Sequence, residues 1–130
     1  MPFTLYATTA VVFLILDAIM LTLVMKPLFT RHIGPLMAEP IRLAPAALFY
    51  LAYVAGLVYL VSLPAMKTGA PILIPALIIG LMAYGTYEFT SWSIMRDWHW
   101  TMVATDTLWG GTLTAFSVWA GVAITRAIHG

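Results

Sequence analysis

The chain has 130 residues, 62% of them hydrophobic and only 8% charged. A soluble domain carries about 25% charged residues to wet its surface, so a chain of this composition needs a lipid-facing exterior. The net charge of +1 gives no basic surface for nucleic acid, and the absence of cysteine excludes disulfides, thiolate metal sites and cysteine nucleophiles.

A helix that crosses a bilayer needs about 20 mainly apolar residues. Four stretches qualify, which predicts an all-α membrane protein, a four-transmembrane-helix bundle in one integral domain over residues 1–130. The first covers about 4–25 and is expected to stop at Lys26-Pro27. It lacks a basic leading region, and Asp17 interrupts its apolar run, so it reads as a retained span rather than a cleaved signal. The second covers about 43–63, with Pro45 tolerated in its first turn and Pro64 expected to end it. The third covers about 70–95, with Pro71 and Pro75 near its start and a bend expected there. The fourth covers about 98–124, with Asp97 as the expected N-cap. The runs are too long and too uniformly apolar for barrel strands.

Between the first two spans lies the only extended loop, 26–42. Pro27, Gly34, Pro35 and Pro40 argue against a long helix there, leaving at most a short interfacial turn around 28–37. Four spans put both termini on one side. Lys26, Arg31, Arg42 and Arg96 flank the loops on the other side, against Lys67 and Arg126 with the termini. The positive-inside rule then puts the segments 26–42 and 96–97 in the cytoplasm and both termini outside. Trp92, Trp98 and Trp100 flank the third loop and read as an interfacial aromatic belt.

Of five acidic residues, Glu39 and Asp97 fall in loops, whereas Asp17, Glu88 and Asp106 fall inside spans, where an ionisable group costs about 2.5–3.5 kcal/mol on insertion scales. Counted from the ends of their helices, all three lie roughly 12–14 Å from the same membrane face at 1.5 Å per residue. Tyr84, Tyr87, Glu88 and Ser91 share one face of the third helix, and Tyr50 and Tyr53 sit about two turns into the second. The predicted site is an inward cluster of Asp17, Tyr50, Tyr53, Tyr84, Tyr87, Glu88, Ser91 and Asp106, with Trp109 as its floor and His99 as its rim. No Lys, Arg or His lies at that depth, so the acids are expected to hold protons or to surround a cation. The same acids also suit a structural role, bonded to Tyr, Trp and Thr between helices.

Phosphate-binding loops, dinucleotide fingerprints and zinc-protease signatures are missing, and the three histidines lie in loops or at helix ends. No cofactor is expected, neither haem nor a metal, although three carboxylates would suit a hard cation if they converged.

The segments YGTYEFTSWSIMRDW and VATDTLWGGTLTA resemble a family of small bacterial membrane proteins catalogued as a domain of unknown function, number 2177. Its pattern matches Asp17; then Pro45, Ala46, Phe49 and Tyr50; then Tyr87, Glu88 and Thr90; then Asp106, Trp109 and Gly110. Ser91 stands where the family usually has Asn, and Met20 where a Trp is common. The resemblance implies a four-helix fold and a bacterial inner membrane, and no activity.

Three readings fit. One is a proton- or cation-linked carrier of a small molecule, expected to work as a homodimer because four helices are few for a pathway. A second is an enzyme acting on a lipid, with Glu88 or Asp106 as acid or base. The third is a non-catalytic lipid-binding or subunit protein. The expected partners are the bilayer and a small-molecule or lipid ligand, not nucleic acid.

Overall fold

The computed structural model describes residues 2–36 and 43–129, with Leu43 described by its backbone alone. Among the described residues the protein is all helix, with four helices long and apolar enough to cross a membrane: α1 (Pro2–Leu36), α2 (Ala44–Thr68), α3 (Leu73–Ile94) and α4 (Trp100–His129). The expected loop residues Glu39, Pro40 and Arg42 lie outside the described residues.

α1 follows the logic of a helix in lipid. Leu5, Thr9, Phe13 and Asp17, four apart, are buried, whereas Val11, Ile15, Ile19 and Leu23, also four apart, are exposed. The polar groups are therefore inside and the aliphatic groups outside, the reverse of a soluble helix. α4 is the most buried helix and packs most closely against α3 and α1. Its inward face runs Asp106, Gly110, Thr114, Ser117, Gly121 and Thr125. At the α3–α4 seam the backbones nearly touch, and a Cβ at Gly80 would meet the Gly110 carbonyl oxygen at 2.5 Å. Leu5, Phe13, Val54, Val58, Leu113 and Val122 form the core where α1, α2 and α4 meet.

Two expected stops are corrected. α1 does not end at Lys26-Pro27, and α2 does not end at Pro64. In both, a widened π-turn precedes the proline: Leu21–Met25 before Pro27, and Val58–Ser62 before Pro64. The Lys26 N–H reaches the Leu21 carbonyl and the Leu63 N–H reaches the Val58 carbonyl, both i→i−5. A proline in a regular helix clashes with the carbonyl four residues back; the extra residue in the turn relieves that clash, and the helix runs on. The α1 extension is held by tertiary contacts. Leu28, Phe29 and Ile33 pack on Trp98, Met102 and Val103, and the His32 ring stacks on His99 at 4.3 Å between centroids.

α3 begins at Leu73 rather than at 70, which places Pro75 in its first turn, where no intrahelical donor is needed. α4 is capped by His99, not Asp97: Nδ1 of His99 accepts the Thr101 N–H at 3.2 Å, and its carbonyl accepts the Met102 N–H at 3.0 Å. Asp97 turns outward and pairs with Arg96 at 3.4 Å.

Candidate functional site

α2 lies close to α3 and α4 at the end where Leu57 and Val61 pack on Ala76 and Val118. Toward the other end α2 and α3 barely approach one another. The gap between them is a cavity of about 370 Å³ to which every helix contributes: Asp17, Leu21 and Phe29 from α1, Ala46, Phe49, Tyr50 and Tyr53 from α2, Ala83, Tyr84 and Tyr87 from α3, and Asp106 from α4. Phe49 and Tyr87 on the two lips are more than half exposed, on faces where lipid would lie. The cavity thus reaches the side of the bundle between α2 and α3, and both aspartates line it. At its deep end the rings of Tyr53 and Tyr84 meet edge to face at 6.5 Å, and the Tyr53 hydroxyl is 2.9 Å from that of Thr114. Phe29 also lines the cavity, its ring 5.5 Å from that of Trp98.

The Asp17 carboxyl is held from behind. Nε1 of Trp109 donates to its Oδ1 at 3.2 Å, and the Tyr50 hydroxyl interacts with it from α2. Its Oδ2 is buried without a hydrogen-bond partner. Tyr84 lies in the field of both Asp17 and Asp106, its own hydroxyl also buried and unpartnered.

Glu88 is fully buried but does not line the cavity. It stands behind Asp106, with which it interacts directly. Nε1 of Trp98 donates to Glu88 Oε1 at 3.1 Å, while Oε2 has no partner. Two adjacent carboxylates in a low-dielectric interior repel, and a shared proton or a cation relieves the repulsion. Among the described residues, no group of three His, Cys, Asp or Glu side chains is placed to hold a metal ion.

The structure therefore brings together Asp17, Tyr50, Tyr53, Tyr84, Tyr87 and Asp106 around one cavity, with Glu88 as a second layer. Four sequence placements change, Glu88 being the first. Trp109 is a prop behind Asp17, not the floor. His99 caps α4 and stacks on His32, away from the cavity. Ser91 is buried but does not line it. Trp98 also leaves the expected belt: it is 6% exposed and bonded to Glu88, whereas Trp92 and Trp100 remain half-exposed. Phe49 was legible, because it lies four residues before Tyr53 on the same face of α2. Phe29 was not, because it belongs to a stretch expected to be loop.

A comparison with curated proteins and one with solved structures find no match. A family profile described as "Predicted membrane protein (DUF2177)" matches residues 3–123, nearly the whole chain, and the protein belongs to that family.

Proposed function

We propose that the chain is a proton-linked carrier whose cargo is a small lipophilic cation that enters from the bilayer through the α2–α3 cleft. One observation carries this reading. Asp17 lines the cavity, is 3% exposed, and has one carboxyl oxygen unpartnered, and no basic side chain lines the cavity among the described residues. What such a wall lacks is a positive charge. The surrounding rings of Phe49, Tyr50 and Tyr84 add faces that attract a cation. A carboxyl that gives up its proton to a cation and regains it on release couples the two movements. In this reading the protein sits in a bacterial inner membrane with the segments 26–42 and 96–97 cytoplasmic and both termini outside, and it works as a homodimer.

The test uses dodecyltrimethylammonium, titrated by calorimetry into the purified protein in maltoside micelles, beside dodecanol and dodecyl sulfate. The cation binds, and affinity falls at least tenfold in Asp17→Asn. It also falls on acidification, because protons compete for the same oxygens. Equal binding of the neutral or anionic twin, or full affinity in Asp17→Asn, would overturn the reading.

The sideways opening also favours a second reading, an enzyme acting on a lipid, with Asp106 and Glu88 as the acid–base pair and Tyr50 or Tyr87 polarising the substrate. A changed lipid profile in cells lacking the protein, with no cation binding in vitro, would favour it over the carrier.

A further inference from the structure

Trp98 sits in the turn between α3 and α4 and is buried. Its indole meets three partners at once. Nε1 donates to Oε1 of Glu88 at 3.1 Å. The ring lies 5.5 Å from that of Phe29 on α1, tilted by 43°. The Tyr87 ring of α3 meets it edge to face at 5.8 Å and 87°. Leu28, Ile33 and Met95 pack on the cluster that Trp98 forms with Met102 and Val103. Trp98 does not line the cavity, but Phe29 and Tyr87 both do. One rigid ring system thus joins a buried carboxyl to two of the rings around the cavity.

The carboxyl it holds is the one that answers to protons. Glu88 is fully buried, its Oε2 has no partner, and it interacts directly with Asp106, which lines the cavity. A hydrogen bond to an ionised acceptor is shorter and about twice as strong as one to a neutral acceptor. The bond from Trp98 therefore tightens when the pair loses its proton and slackens when the pair regains it. The rest of the indole moves with its N–H, and its contacts with Phe29 and Tyr87 depend on ring geometry.

We propose that Trp98 is a positioning residue that ties protonation of the Glu88–Asp106 pair to the stance of Phe29 and Tyr87 around the cavity. This deepens the carrier reading and rests on it for its purpose: Asp17 meets the cation, and the pair sets the aromatic lining that receives it. The groups facing the pair are Tyr87 of α3, Asp17 of α1 and Tyr50 of α2. On the α1 extension and in the α3–α4 turn, the charged and titratable groups are Lys26, Arg31, His32, Arg96, Asp97 and His99.

The test is fluorine NMR of the purified full chain in maltoside micelles, with p-trifluoromethylphenylalanine in place of Phe29, across about pH 5 to 10. The signal should titrate, and one step should vanish in Glu88→Gln. If every step survives that change, the signal belongs to His32 or His99 and the coupling is overturned. Trp98→Phe keeps a ring and loses the N–H, so that step should lose about half its amplitude or more, whereas Trp100→Phe should leave it intact. Full amplitude in Trp98→Phe, or a flat wild-type signal, overturns the proposal. Should Glu88→Gln fail to elute as a single species, Asp106→Asn replaces it. Removing the neighbouring charge should move the midpoint by about one pH unit or more, and an unmoved midpoint overturns the coupling. Calorimetry with dodecyltrimethylammonium on the unlabelled protein separates the two ideas. Trp98→Phe should weaken binding about threefold or more, as a displaced ring face would, and should alter its pH profile. A wild type that titrates at position 29 without binding the cation sinks the carrier reading alone, and one that binds it with a flat signal sinks the coupling alone.

Discussion

Replacing Gly80 with alanine tests whether α3 and α4 depend on direct backbone approach. The added Cβ would lie 2.5 Å from the Gly110 carbonyl oxygen, 2.8 Å from the Gly111 Cα and 2.8 Å from the Thr114 Cβ. Ordinary contact begins near 3.4 Å, so the seam must open by 3.4 − 2.5, or about 0.9 Å. Two of the obstacles are backbone and cannot rotate away. A radial gap of 0.5–1 Å forfeits about a quarter to a half of each dispersion contact along the seam, and overpacking of this kind costs about 1–3 kcal/mol. With backbone on both sides, the upper part of that range, about 2–3 kcal/mol, is expected. The assay is reversible unfolding in mixed maltoside–dodecyl sulfate micelles, followed by circular dichroism. Gly56→Ala is the control, since a Cβ there meets nothing within 4 Å, and it should be neutral or gain up to about 1 kcal/mol from helix propensity. If Gly80→Ala unfolds at the same detergent fraction as Gly56→Ala, the seam is not the close contact described above.

Trp98→Phe removes the donor to Glu88 and leaves the fully buried carboxyl without its indole partner, so it should cost about 1–3 kcal/mol, whereas Trp100→Phe, at a half-exposed position, should change stability by less than about 0.5 kcal/mol; the same unfolding assay compares them. Tyr53→Phe breaks the bond to Thr114 and should cost about 0.5–1.5 kcal/mol, a loss that vanishes if that hydroxyl pair does not form. Because the chain has no native cysteine, single cysteines at Lys67 and Arg96 report orientation cleanly: an impermeant maleimide on intact cells should label position 67 and spare position 96, and the reverse pattern would invert the proposed topology.

The four spans were legible because twenty-residue apolar runs have few other uses, and the shared depth of Asp17 and Asp106 was legible because helical rise is regular. The two aspartates do line one cavity. The errors arose where contacts distant in sequence decide. Nothing local distinguishes Trp98, which folds back onto Glu88, from Trp100, which faces outward. Pro27 reads as a stop on local rules, and only the π-turn before it, together with the contacts of Phe29 and Ile33 with the start of α4, makes a continuous helix. Asp97 has the better capping side chain, yet the turn after Ile94 presents His99 to the first free N–H groups of α4. That the buried hydroxyls of Thr9, Ser62 and Ser117 find no partner could not be read at all, because a Ser or Thr that bonds its own helix and one that does not look alike in sequence.

The length of α1 sets how the protein is seated. Its 35 residues span about 52 Å, against an apolar slab of about 30 Å, and even at a steep 40° tilt it would still rise about 40 Å. One end must therefore stand clear of the hydrocarbon as a rigid post, and the charged turn holding Lys26 and Arg31 is the end suited to phosphate headgroups. Such a post fixes the depth of everything attached to it. Asp17 lies six turns' rise or less below the tip, so the height at which Lys26 and Arg31 meet the headgroups also fixes the depth of the cleft mouth. In thinner or thicker membranes the cleft would meet the acyl chains at a different level, which makes bilayer thickness a variable to which this protein should be sensitive.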